Sequence, residues 1–182
     1  MKSSMIVFLV LLMSVSTVYP QKYMSRNGHI RFFSSAPLED IEAHNRQVNV
    51  ALDIETGDFV FRVLIRSFEF EKALMQEHFN ENYMESHKFP NASFQGKVTN
   101  LSDVDFTKNG TYEATVEGKL TIHGVTKDIV EKGTFTVENG LIVAYSQFNV
   151  KVADFDIKIP KTVVNNIAEN IQVTVDVKLE KL

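Results

Sequence analysis

From Gly28 to the C-terminus, apolar and polar residues alternate with a period of two. Ile30, Phe32 and Ser34 share one side of a segment whose other side carries Arg31, Phe33 and Ser35. Val48, Val50, Leu52 and Ile54 alternate with Asn49, Ala51, Asp53 and Glu55, and Thr56-Gly57-Asp58 turns the chain into Phe59 to Arg66. Successive side chains of a strand point to opposite faces, so this spacing predicts a long hairpin with one buried side. Tyr112, Ala114, Val116, Gly118, Leu120 and Ile122 predict another strand, broken at Gly124, and Ile129 to Val137 follows. Asn139-Gly140 is a turn signal because both residues tolerate positive φ, and it leads into Leu141 to Val152. The last strand is the clearest: Ile171, Val173, Val175, Val177 and Leu179 alternate with Gln172, Thr174, Asp176, Lys178 and Glu180. Long antiparallel strands with one apolar side suit a barrel or a strongly curved sheet, so the predicted class is all-β.

One stretch departs from this period. Glu69 to Asn80 is helical in composition, with Phe70, Leu74 and His78 four apart and Met75 and Phe79 beside them. It is expected to cover one open end of the barrel, as packing or as a lid. Asp154 and Asp156 alternate with Phe155 and Ile157 and are expected on the solvent side of a strand rather than as a glycosidase pair.

The first twenty residues stand apart. Lys2 precedes an apolar run of nine residues, Met5 to Met13, and then Ser14 to Thr17. A bilayer-spanning helix needs about 20 apolar residues, so the run reads as a secretory signal peptide, residues 1–20, before a single domain at 21–182. That implies a periplasmic or secreted protein without a transmembrane anchor. The formal charge of −4 is spread along the chain with no basic block, which argues against nucleic acid as a partner.

Candidate chemistry is sparse. No cysteine is present, which excludes disulfides and cysteine-bound zinc, and the five histidines form no HExxH arrangement. There is no GxSxG and no glycine-rich phosphate loop. Neither a metal nor a cofactor is expected, and the chain is not read as an enzyme. Bulky apolar residues are abundant instead, with fourteen phenylalanines and no tryptophan. Periodicity alone does not separate a filled interior from a hollow one.

Two motifs narrow this reading. The stretch from Phe68 to Gly96, with Tyr83-Met-Glu-Ser-His-Lys-Phe-Pro-Asn-Ala-Ser-Phe94 at its centre, resembles one signature of the YceI-like family. Gly118-Lys-Leu-Thr-Ile-His-Gly-Val-Thr-Lys127 resembles its second, and Ser34 to Ala43 resembles the form common in Bacteroidetes-like members. The opening, Tyr23 to Phe32, departs from the family's usual pattern, lacking its acid and the serine after the histidine.

The resemblance implies an extended, lipocalin-like antiparallel barrel with a short helix at its mouth, some members of which hold a polyisoprenoid or another long amphiphile. It implies that Phe79, Tyr83, Met84, Phe89 and Phe94 lie near the mouth as cavity wall. It also brings in Leu120, Ile122 and His123, the last in a turn where a structural role is favoured over a ligand contact. The expected function is carriage or sequestration of a long-chain isoprenoid or lipid. A filled barrel acting as an interaction or stress-related module is the alternative, and a homodimer is left open.

Overall fold

The computed structural model describes residues 21–182. The proposed signal peptide, 1–20, lies outside the described residues. Nine strands form: β1 (Lys22–Ser35), β2 (Asp40–Asp53), β3 (Asp58–Leu64), β4 (Phe68–Phe70), β5 (Asn91–Val98), β6 (Gly110–Ile122), β7 (Val125–Glu138), β8 (Leu141–Lys151) and β9 (Asn170–Lys181). All pairings are antiparallel: β1 with β2, β2 with both β3 and β4, β3 with β5, then β5 to β9 each with the next, and β9 returns to pair with β1. The result is a closed eight-stranded barrel, in which β3 and β4 are two pieces of one strand position. Closure pairs most of the edge that an open sheet of this size would expose.

The predicted strand from Phe59 to Arg66 stops early, at Leu64. A turn of 3₁₀-helix, Ile65–Ser67, follows, and β4 resumes the pairing with β2. Backbone groups freed at this jog find a partner in Asn45, which is fully buried. Its side-chain amide donates to the Leu64 carbonyl at 2.9 Å, and its oxygen accepts from the Gln47 N–H at 2.9 Å. A buried polar side chain is tolerable on β2 because it satisfies groups that would otherwise be orphaned.

Two tight turns set the register of the β6–β7 and β7–β8 hairpins. Asn139 and Gly140 have φ of 51° and 84°, and His123 and Gly124 have φ of 51° and 77°. Both are therefore two-residue turns whose twist matches the flanking strands. Because Gly124 turns rather than breaks the chain, β6 and β7 pair without interruption from Gly110/Val137 to Ile122/Val125.

The expected helix over 69–80 is displaced. Phe68–Phe70 is strand, and the α-helix, α1, spans Ala73–His78 before the chain widens into a π-helical turn at Phe79–Tyr83. Glu69 and Phe70 pair with His44 and Ala43 of β2, and that ladder overrides their local helical composition. Asp154 and Asp156 are not on a strand either. Residues Val152–Phe155 form a 3₁₀ turn and Asp156 adopts φ of 56°, folding the chain so that Phe155 and Ile157 are both buried.

Inside the barrel, one half is solid. Leu52, Val137, Ile142, Val177 and Leu179 are at most 2% exposed. Val104 and Phe106, from the loop between β5 and β6, are buried in the same cluster and stop that end of the barrel.

Candidate functional site

The other half of the barrel is hollow. A cavity of about 470 Å³ extends from the middle of the barrel towards α1 and the 152–169 segment. Aromatic side chains bound it along the barrel axis. Its floor is Phe59, Phe61 and Phe135, with Phe59 packed on Phe61 at 4.6 Å and on Phe135 at 5.7 Å between ring centroids. Phe106 seals the underside, 5.4 Å from Phe135. Its roof is Phe79, which follows α1 and packs on Phe32, Phe68 and Phe70 at 5.4, 5.6 and 5.0 Å. The phenylalanines that the composition left without an assignment thus separate the solid half from the hollow half and cover the hollow one.

Of the residues that the sequence pointed to, Phe79, Tyr83, Met84, Phe94, Leu120 and Ile122 border the cavity. Inward alternation on β5 and β6 brings in Phe94, Leu120 and Ile122, while Tyr83 and Met84 arrive from the π-helical turn. Burial pushes the Tyr83 hydroxyl above its ordinary pKa.

Phe89 and His123 lie outside the lining. The imidazole meets the Phe89 ring edge to face at 4.6 Å. Its Nδ1 donates to the Phe155 carbonyl at 3.2 Å, and its Nε2 lies 3.1 Å from a Glu85 carboxylate oxygen. Hydrogen bonds to Lys88 first and His123 second hold the Glu85 carboxyl below its usual range. His123 therefore ties three segments together: the β6–β7 turn, the stretch from Glu85 to Phe89, and the turn at Phe155. Gly124 completes the arrangement, since a Cβ there would come within 2.5 Å of the Phe89 ring.

Sequence reasoning missed two contributors. Ile157, Ile159, Val163 and Ile167 wall the cavity from the segment between β8 and β9; the alternation at 154–157 suggests a strand there and does not point to the cavity. Glu131 also borders it. That residue was legible in principle, because it sits in phase with Ile129, Phe135 and Val137 on the inward side of β7. Among the described residues, no three His, Asp or Glu side chains gather as a metal site.

The sequence profile of the YceI-like domain matches residues 15–179. The chain belongs to the YceI-like family. Its fold is similar to that of a polyisoprenoid binding domain from Saccharophagus degradans implicated in plant cell wall breakdown, at a TM-score of 0.78 and 12% identity, covering 90% of this chain and 100% of that one. Burkholderia cenocepacia BcnA is similar at a TM-score of 0.68 and 14% identity over 84% of this chain and 95% of that one. The Campylobacter jejuni YCEI protein is similar at 0.55 and 17% over 100% and 99%. No curated protein matches the chain in sequence.

Proposed function

We propose that this protein is an exported carrier that sequesters one long apolar ligand, a polyisoprenoid or related lipid, in the hollow half of its barrel. The observation that carries the proposal is the apolar space inside the barrel between two phenylalanine clusters. Its 470 Å³ falls within the span of about 300–1,000 Å³ common to small-molecule sites. Burying each methylene of a tail contributes about 0.8 kcal/mol, so a long chain binds there without any catalytic group. Phe79, Tyr83, Met84, Phe94, Leu120 and Ile122 serve as wall, giving shape rather than chemistry. The polyisoprenoid named for the Saccharophagus degradans domain supports that ligand class. A site of action in the periplasm or outside the cell rests on the apolar run near the N-terminus.

Native mass spectrometry tests this, performed on protein taken from its own host's exported fraction, with organic extraction of what it holds. A stoichiometric isoprenoid or lipid is expected. A ligand-free mass, with no uptake of long-chain isoprenoids or fatty acids on exposure, would leave an interaction module as the better reading.

A further inference from the structure

The barrel wall is not hydrogen-bonded all the way round. β7 and β8 pair from Glu138/Leu141 as far as Gly133/Ser146, where the ladder ends. The strands are pinched tight at that point, since a Cβ on Gly133 would lie 2.4 Å from the Tyr145 carbonyl oxygen. Beyond it, β7 continues to Val125 against β6 alone, and β8 continues to Lys151 against β9 alone. Had the register run on, Phe148 would face Glu131 and Val150 would face Ile129. Both of those unpaired edges border the cavity. So do Lys132, Thr134 and Tyr145, which the alternation places on the outside of the barrel. The cavity therefore reaches the surface sideways, between β7 and β8.

Glu131 stands at this opening. It faces inward opposite Val116, itself a wall residue. Its carboxylate makes no ion pair or side-chain hydrogen bond among the described residues, and burial pushes its pKa up with no partner to offset it. The nearest polar wall residue on β8, Ser146, is already committed, its hydroxyl donating to the Lys132 carbonyl at 2.6 Å. Of the other acids and bases at the cavity, Glu39 is engaged by Lys72, His78 lies at the far end beside the roof, and Lys132 points outward. Partly buried in an apolar wall and still reached by solvent, the Glu131 carboxylate is free to accept from a donor that a ligand brings to the opening.

We propose that Glu131 anchors the ligand's polar end at a side portal between β7 and β8, and that this end is a hydrogen-bond donor, best of all the ammonium group of a long-chain amine. This rests on the carrier reading above and adds to it a head-group class and an entry point. A competing role exists for the same residue, because an inward charge on an unpaired strand edge also discourages edge-to-edge association between molecules.

The two are separated by displacement of a neutral, apolar fluorescent probe from the purified protein by octadecylamine, octadecanol or octadecanoic acid. A charge-assisted hydrogen bond predicts that the amine binds about tenfold or more tighter than the acid. Glu131→Gln, nearly the same in size, should bring the two within about twofold while octadecanol is unaffected. Lys132→Gln should leave the preference for the amine in place, which excludes simple repulsion or attraction at the outer face. Equal binding of all three head groups by the unaltered protein, or a preference that survives Glu131→Gln, overturns the anchor and leaves the carrier reading standing. Glu131→Gln that changes only the oligomeric state, in sedimentation, assigns the residue to edge protection instead. Failure of every tail to displace the probe from folded protein defeats the carrier reading itself.

Discussion

At the scale of single residues, the same side-chain type serves opposite ends depending on what surrounds it. Glu85 is stabilised as a carboxylate by Lys88 and His123, whereas burial alone acts on Glu131 and favours its neutral form. The consequence for stability follows from linkage. With its folded pKa raised above the ordinary 4.5, Glu131 binds its proton more tightly in the folded protein than in the unfolded chain. Its contribution is fully present below that ordinary value and is lost as pH rises through the folded value. Glu131→Gln removes the titration, so the free variant should melt increasingly above the unaltered protein as pH is raised from about 4 to 7. Thermal melts across that range check this, and a constant difference would contradict it. His123 and Gly124 illustrate a residue-scale point that motif reading alone does not resolve. Their positive φ values and their contacts with Phe89, Phe155 and Glu85 make them a structural tie rather than a piece of cavity wall.

Among the elements, strands were the easier to read and the helix the harder. The alternation of β2, β6 and β9 is written into their sequences because each has a buried and an exposed side for most of its length. By contrast, α1 is six residues long, too short to hold together in isolation. Its place is fixed from outside, through Phe79 packed against Phe32, Phe68 and Phe70. Phe79→Ala removes the ring that joins the helix to β1 and β4. It should cost about 2–3 kcal/mol, somewhat less than truncation of a fully buried phenylalanine. The same change uncovers the roof, so a bound probe should leave faster. Denaturant unfolding measures the first effect and stopped-flow release the second. Unchanged release with lowered stability would make the helix packing alone.

For the whole molecule, the division into a solid half and a hollow half decides how a substitution is felt. Val177, fully buried in the solid half, has no room beside it, and Val177→Phe should cost about 1–3 kcal/mol through overpacking. Val116 is partly buried and borders the cavity. Val116→Trp should be nearly neutral, within about 1 kcal/mol, because the added rings enter empty space. It should nonetheless abolish uptake of a long-tailed ligand. Melting temperature together with probe binding on both variants distinguishes the halves. Equal destabilisation at the two sites would mean that the cavity closes in solution.

The sequence by itself determined the all-β class, the strands with a single buried side, and the turn at Asn139-Gly140. Those follow from local patterning, since a period of two and a tolerance for positive φ are properties of neighbouring residues. The family signatures from Phe68 to Gly96 and Gly118 to Lys127 likewise directed attention to six residues that border the cavity. Only the tertiary structure decided that inward-facing side chains fill one half of the barrel and leave the other empty, because alternation states which way a side chain points and not what it meets. The jog satisfied by Asn45, the inward fold of 152–157, and the end of the β7–β8 ladder beside Glu131 have the same origin. Each depends on contacts between residues far apart in the chain, and no local period records them.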